Sequence, residues 1–112
     1  MHPHGINRVP VLVWLDDDKR VNAWPDNVRL FSDEEISWVC FDGEFQIEFE
    51  SDELFKKKTF RSGGRRMIEI DHHDYHGRSI KGFKYTITIE GAKEALDPDV
   101  EADPRKRPKY PY

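Results

Sequence analysis

Two stretches of this chain alternate apolar and polar side chains with period two, and no other feature restricts the fold as much. Phe45, Ile47 and Phe49 are separated by Gln46, Glu48 and Glu50; Phe83, Tyr85, Ile87 and Ile89 by Lys84, Thr86, Thr88 and Glu90. Successive side chains of an extended strand point to opposite faces, so each stretch is a strand with one dry and one wet face. Such a face must be covered by a second layer, which makes an all-β fold of packed sheets the expected architecture.

The rest of the chain supplies further strands and turns. Val9, Val11, Val13 and Leu15 share one face of an extended segment, with Leu12 and Trp14 on the other. Pro10 lacks a backbone donor, so this strand is expected at an edge or starting there. Asp16-Asp17-Asp18 ends it, with a hairpin to the Val21 region, and residues 22–27 around Trp24-Pro25-Asp26 read as a loop. Val28 and Leu30 begin another strand. Ser32-Asp33-Glu34-Glu35 has the form of a helix capping box. The β-branched and aromatic run Ile36-Ser37-Trp38-Val39-Cys40-Phe41 makes it a turn before a buried strand instead. Asp42-Gly43 predicts a hairpin into the Phe45 strand.

Residues 51–55 suit one helical turn, and residues 56–66, basic and containing Gly63-Gly64, a loop or hairpin tip. Met67 to Asp71 is a strand with Ile68 and Ile70 inward; residues 72–82 are polar and turn-rich; Asp97-Pro98 opens a last strand through Val100. Residues 104–112 hold three prolines and four basic side chains and read as a disordered tail. The expected organisation is an N-terminal arm over residues 1–8, a β-sandwich of seven or eight strands over residues 9–103, and the tail. A closed barrel carries the same strand signals. The expected inward set is Val11, Val13, Ile36, Trp38, Phe45, Ile47, Ile68, Ile70, Phe83, Tyr85 and Ile87.

Ile36-Ser37-Trp38-Val39, then Glu44-Phe45-Gln46-Ile47 after a turn, then Gly82-Phe83-Lys84-Tyr85-Thr86-Ile87, resemble the strand pattern of the cupredoxins, the plastocyanin-like blue-copper sandwiches. Asp97-Pro98-Asp99-Val100 resembles the entry to that family's closing strand. The resemblance covers about half the chain and implies a Greek-key β-sandwich. It also implies that the copper ligands are missing. Phe45 stands where the family's first copper histidine would be, and Ile87 where its cysteine would be. No histidine follows His76 and no methionine follows Met67. A blue-copper centre needs a thiolate, two imidazoles and a weak axial ligand converging on one ion. The family's electron-transfer role therefore does not carry over, and no cofactor is implied.

The length of 112 residues fits one domain, and the net charge of −4 gives no global field for nucleic acid or an anionic membrane. Cys40 is the single cysteine, so no intramolecular disulfide forms. The first residues lack the basic start of a secretory leader, and the apolar run from Val9 to Leu15 is far too short to span a bilayer. A cytoplasmic location is expected.

Three groups of side chains bear chemistry. In Asp71-His72-His73-Asp74-Tyr75-His76, an extended backbone would put His72, Asp74 and His76 on one face, the donor types that suit zinc, copper or nickel. Exposed loop histidines give the same pattern. Lys57, Lys58, Arg61, Arg65 and Arg66, around Phe60 and Gly63-Gly64, could grip phosphates or stack a base. A solvated tip that protects an edge strand is the preferred reading of them, because acidic stretches elsewhere repel a polyanion. Cys40, between Val39 and Phe41, reads as a small buried hydrophobe. Trp24, in a proline-containing loop, is the tryptophan placed to serve as an exposed anchor.

No serine elbow, Walker loop or zinc-cysteine spacing occurs. The leading expectation is a non-catalytic binding or assembly module with a protein partner; a metal-binding protein using His72, Asp74 and His76 is the alternative. Copper added to the reduced protein is expected to give no intense blue absorption. A strong visible band that disappears in Cys40→Ser would overturn that reading.

Overall fold

The computed structural model describes residues 7–70, 73 and 75–107. Among them nine strands form two sheets, and there is no helix. The strands are β1 (Asn7–Leu15), β2 (Val21–Trp24), β3 (Asn27–Leu30), β4 (Glu34–Cys40), β5 (Phe45–Phe49), β6 (Thr59–Arg61), β7 (Met67–Ile70), β8 (Lys81–Ile89) and β9 (Asp99–Ala102). A four-stranded sheet has the order β2-β1-β4-β7, and a five-stranded sheet β3-β9-β8-β5-β6. Two pairs are parallel, β1 with β4 and β3 with β9; the others are antiparallel.

The alternating stretches become β5 and β8, paired with Phe45 opposite Ile89, Ile47 opposite Ile87 and Phe49 opposite Tyr85. Their apolar faces meet the inner face of the four-stranded sheet, where Val11, Val13, Ile36, Trp38 and Cys40 are buried. The whole expected inward set belongs to this core, with Ile70 only half-buried. Trp38, fully buried, crosses between the layers: its indole Nε1–H donates to the Tyr85 hydroxyl at 3.1 Å, and the two rings meet edge-on at 5.7 Å. Tyr85 in turn stacks on Phe49 at 5.0 Å, and Phe49 meets Phe55 at 5.3 Å. Burial pushes the Tyr85 phenol up to about 12, so the hydroxyl stays protonated.

Several local expectations change. Asp42-Gly43 turns the chain, but β4 and β5 do not pair: they lie in different sheets. The same is true of β6 and β7 on either side of Gly63-Gly64. There Arg65 N–H closes a turn on the Ser62 carbonyl, and Gly63 takes φ 59°, a conformation open to glycine without strain. Turn residues mark where the chain bends, not which sheet it joins next. Residues 56–66 are not all loop, because β6 lies within them and pairs with β5. The Trp24 loop is shorter than expected, since β2 and β3 run up to Pro25 and Asp26. Pro10 lies within β1, which is flanked on both sides. The β2 partner extends only over Leu12–Leu15, so at Pro10 the strand has one neighbour.

Residues 72–82 are less polar in their packing than in their composition. His73 and Tyr75 are buried, with Tyr75 edge-on to Phe83 at 5.8 Å and the His73 Nδ1 accepting the Tyr75 N–H at 3.2 Å. Gly77 lies so close under the Tyr75 ring that no side chain fits there.

The turn expected at Ser32 to Glu35 is closed between Phe31 and Glu34. Glu34 accepts the Phe31 N–H at 2.9 Å and gives its own N–H to the Phe31 carbonyl. The Glu34 carboxylate is buried and takes the Arg107 guanidinium, which also lies over the Phe31 ring at 4.6 Å. Residues 104–107 are thus docked on the body, with the Ser32 N–H donating to the Arg105 carbonyl. Residues 108–112 lie outside the described residues.

Replacing Trp38 with alanine is expected to cost about 3–5 kcal/mol in denaturant unfolding, the range for large aromatic truncations in cores. A near-neutral effect would contradict its place between the sheets. A pH effect follows from Asp103, a buried carboxylate that takes the Arg105 guanidinium at 2.7 and 2.9 Å and the Arg105 N–H at 3.0 Å. The hydrogen bonds from Arg105 hold its pKa down at about 2. The folded value lies below an unfolded one of about 3.9, so this stabilisation is full above about pH 4 and is lost as pH falls toward 2. Urea midpoints of the native chain should fall more steeply across that window than those of Asp103→Asn.

Candidate functional site

The two outer faces of the sandwich differ in kind. That of the five-stranded sheet is polar, and its charges are paired across strands: Arg29 with Glu101 at 3.2 Å, Lys84 with Asp99 at 3.9 Å, and Arg61 Nε with the Gln46 side chain at 2.9 Å. Thr86 donates to Asp97 at 2.7 Å. This is a face made for water.

The outer face of the four-stranded sheet follows from register. Val11, Val13, Ile36, Trp38 and Cys40 point inward, so Leu12, Trp14 and Val39 point out. Leu12 pairs with Trp24 on one side and with Val39 on the other, and Val39 pairs with Met67. Trp24, Leu12, Val39 and Met67 therefore form one apolar row across all four strands. Trp14 stands one step further along β1, and Phe41 one step beyond Val39. Trp24 is 72% exposed, Phe41 64%, Leu12 48% and Trp14 37%. Single exposed hydrophobes are ordinary, whereas a contiguous group of this kind sets this face apart from the polar face of the other sheet.

Charge is confined to the ends of this face. At one end Arg8 pairs with Glu35 at 2.6 Å and reaches over β4 to Glu69, which also takes Arg65 at 3.4 Å. At the other, Asp16 receives the backbone N–H groups of Asp18 and Arg20 and the Asn22 side chain. Those hydrogen bonds, that of the Arg20 backbone first, lower its pKa. Asp42 takes the Leu15 N–H at 2.7 Å. The Arg66 guanidinium lies over the exposed Phe41 ring at 5.5 Å.

Of the residues singled out from sequence, Trp24 belongs to this face. The basic group does not converge. Lys57 lies over Phe60 at 5.2 Å, Arg61 holds Gln46, Arg65 pairs with Glu69, and Arg66 covers Phe41. Lys58 is exposed, and its carbonyl accepts the Phe49 N–H. The cleft of about 290 Å³ beside Arg61 is also lined by Glu44 and Glu90, which oppose an anion. His72 and Asp74 of the metal set lie outside the described residues, and His76 is exposed. Among the described residues no three His, Cys, Asp or Glu side chains gather as a metal would need. Cys40 is fully buried, and that burial pushes its thiol up, away from the reactive thiolate.

Sequence reasoning placed Leu12 and Trp14 on the second face of β1 but did not assemble the patch, because Val39 and Met67 join it only through strand order. One signal was present. Residues 9–15 are apolar without interruption, the mark of a strand covered on both faces rather than one. No protein-family model, curated protein or solved structure matches the chain.

Proposed function

We propose that this chain is a non-catalytic module that binds or assembles with protein, docking through the outer face of the four-stranded sheet. The observation that carries the reading is the outward row Trp24–Leu12–Val39–Met67, exposed at Trp24 and Leu12 and half-buried at Val39 and Met67, flanked by the exposed Trp14 and Phe41, with charges only at its ends. Protein interfaces are enriched in aromatic residues, methionine and arginine at their centres and keep lysine and carboxylates to the rim. Membranes and nucleic acid fit less well, since the net charge is −4 and Arg65 and Arg66 engage Glu69 and Phe41 within the chain.

The finer fold belongs to the same proposal: a Greek-key, cupredoxin-like sandwich from which the copper ligands are absent. Its support is that Phe45 and Ile87, the positions the resemblance assigns to copper ligands, lie diagonally on the paired strands β5 and β8, both buried and both apolar.

Proteins retained by the immobilised full chain would be identified, purified and titrated calorimetrically against the native chain, Leu12→Lys and Trp24→Lys. Each substitution should weaken binding of the true partner at least about tenfold, as centre-of-interface anchors do, with the unfolding transition unchanged. Wild-type affinity of both variants for every identified partner would remove the reading.

A further inference from the structure

We infer that the partner seated on the outer face of the four-stranded sheet is a second copy of this chain, joined face to face about a two-fold axis. The inference rests on the docking reading above and specifies its occupant. The axis lies in the plane of the interface, parallel to the strands and midway between β1 and β4.

The argument begins with strand direction. In the order β2-β1-β4-β7 the two inner strands are parallel to each other and the two outer strands run opposite to them. Rotation by half a turn about a line between β1 and β4 places β1 over β4 of the second copy and β2 over β7, with every direction preserved. An isologous interface requires one surface to complement itself under such a rotation.

The side chains meet that requirement. The rotation maps the apolar row onto itself in reverse, so Leu12 faces Val39 of the second copy and Trp24 faces Met67 of the second copy. A large side chain meets a smaller one at each step, and thioether against indole is a favourable contact. One step along the strands, Trp14 faces Phe41 of the second copy. In the other direction Arg8 faces Glu35 of the second copy, and Glu35 faces Arg8, so the intrachain pairs extend into a ring of alternating charge. Glu69 meets no opposing strand, because β2 ends at Trp24 and the chain leaves for the other sheet.

The contact is centred on β1 and β4, which pair from Asn7 to Val13, while β2 and β7 flank only part of that length, over Leu12–Leu15 and Ile36–Val39. With strands spaced by about 4.8 Å, such a face falls below the roughly 800 Å² per partner of a standard interface, so the dimer is a weak one that forms as concentration rises. Twisted sheets pack at about 30°, so register is strictest beside the axis, where Leu12 and Val39 stand.

The test uses the full chain in sedimentation equilibrium over a dilution series. The native chain should pass from monomer to dimer as its concentration rises. Leu12→Lys and Val39→Asp should each be monomeric where the native chain is dimeric. An equimolar mixture of the two should recover the dimer mass, because Lys then faces Asp across the axis. Trp24→Lys with Met67→Glu forms a second such pair, in case Val39→Asp fails to fold. Near-ultraviolet circular dichroism would establish folding in each.

A native chain that stays monomeric throughout overturns the inference. So does a dimer that survives Leu12→Lys, or one that the mixtures fail to restore. If the native chain is monomeric but Leu12→Lys and Trp24→Lys lose a heterologous partner, the second copy is excluded and the docking reading stands. If that partner binds them unchanged, both fall.

Discussion

The contact between Trp38 and Tyr85 ties the two sheets together at the centre of the molecule. It joins the core of one layer to the core of the other by a side-chain hydrogen bond, and the aromatic cluster of Trp38, Tyr85 and Phe49 is built around it. Burying an indole N–H without an acceptor is costly, and the Tyr85 hydroxyl supplies that acceptor inside an apolar interior. The bond therefore fixes which way β4 faces. With Trp38 inward, Ile36 and Cys40 must follow it, and Ser37 and Val39 must point out. A slip of one residue would reverse every side chain of β4 and leave the indole in water.

The outer surface is a consequence of that orientation. β4 hands its register to β1 by parallel pairing and to β7 by antiparallel pairing, and β1 hands it to β2. The apolar row across the four strands is thus not four separate choices of residue but the outward half of a register whose inward half is the core. The contrast with the other sheet makes the point. There the same alternation places threonine, lysine and carboxylates outward, and ion pairs knit adjacent strands. Both sheets bury one face equally well, so the apolar character of the second outer face adds nothing to the core.

The strands that alternate strictly were legible in the sequence, because period two survives whatever the partner strand is. β5 and β8 came out in phase with their expected inward residues. Connections were less legible. Asp42-Gly43 and Gly63-Gly64 bend the chain as their chemistry requires, yet each leads into the opposite sheet, and turn residues carry no information about that. Burial of His73 and Tyr75 was hidden by the polar composition around them, and the docking of Arg107 on Glu34 by a distance of 73 positions. The candidate site was legible only in part. Trp24 announces itself beside a proline, whereas Leu12, Val39 and Met67 come from three different parts of the chain and gain meaning only when strand order sets them side by side.

The parallel union of β1 and β4 also has a temporal side. Residues 9–15 are apolar on both faces, and their inner neighbour lies 27 positions later in the chain, Arg8 opposite Glu35. The local hairpin with β2 needs only nearby residues, with the Asp16 N–H donating to the Arg20 carbonyl, but it leaves the other edge of β1 open. Two more crossings between sheets must be completed before β4 closes that edge. Long-range pairing of this kind is slow, and an open apolar strand is sticky while it waits. The stretch from Leu15 to Cys40 is therefore the span of chain that must be in place before the open edge of β1 is covered.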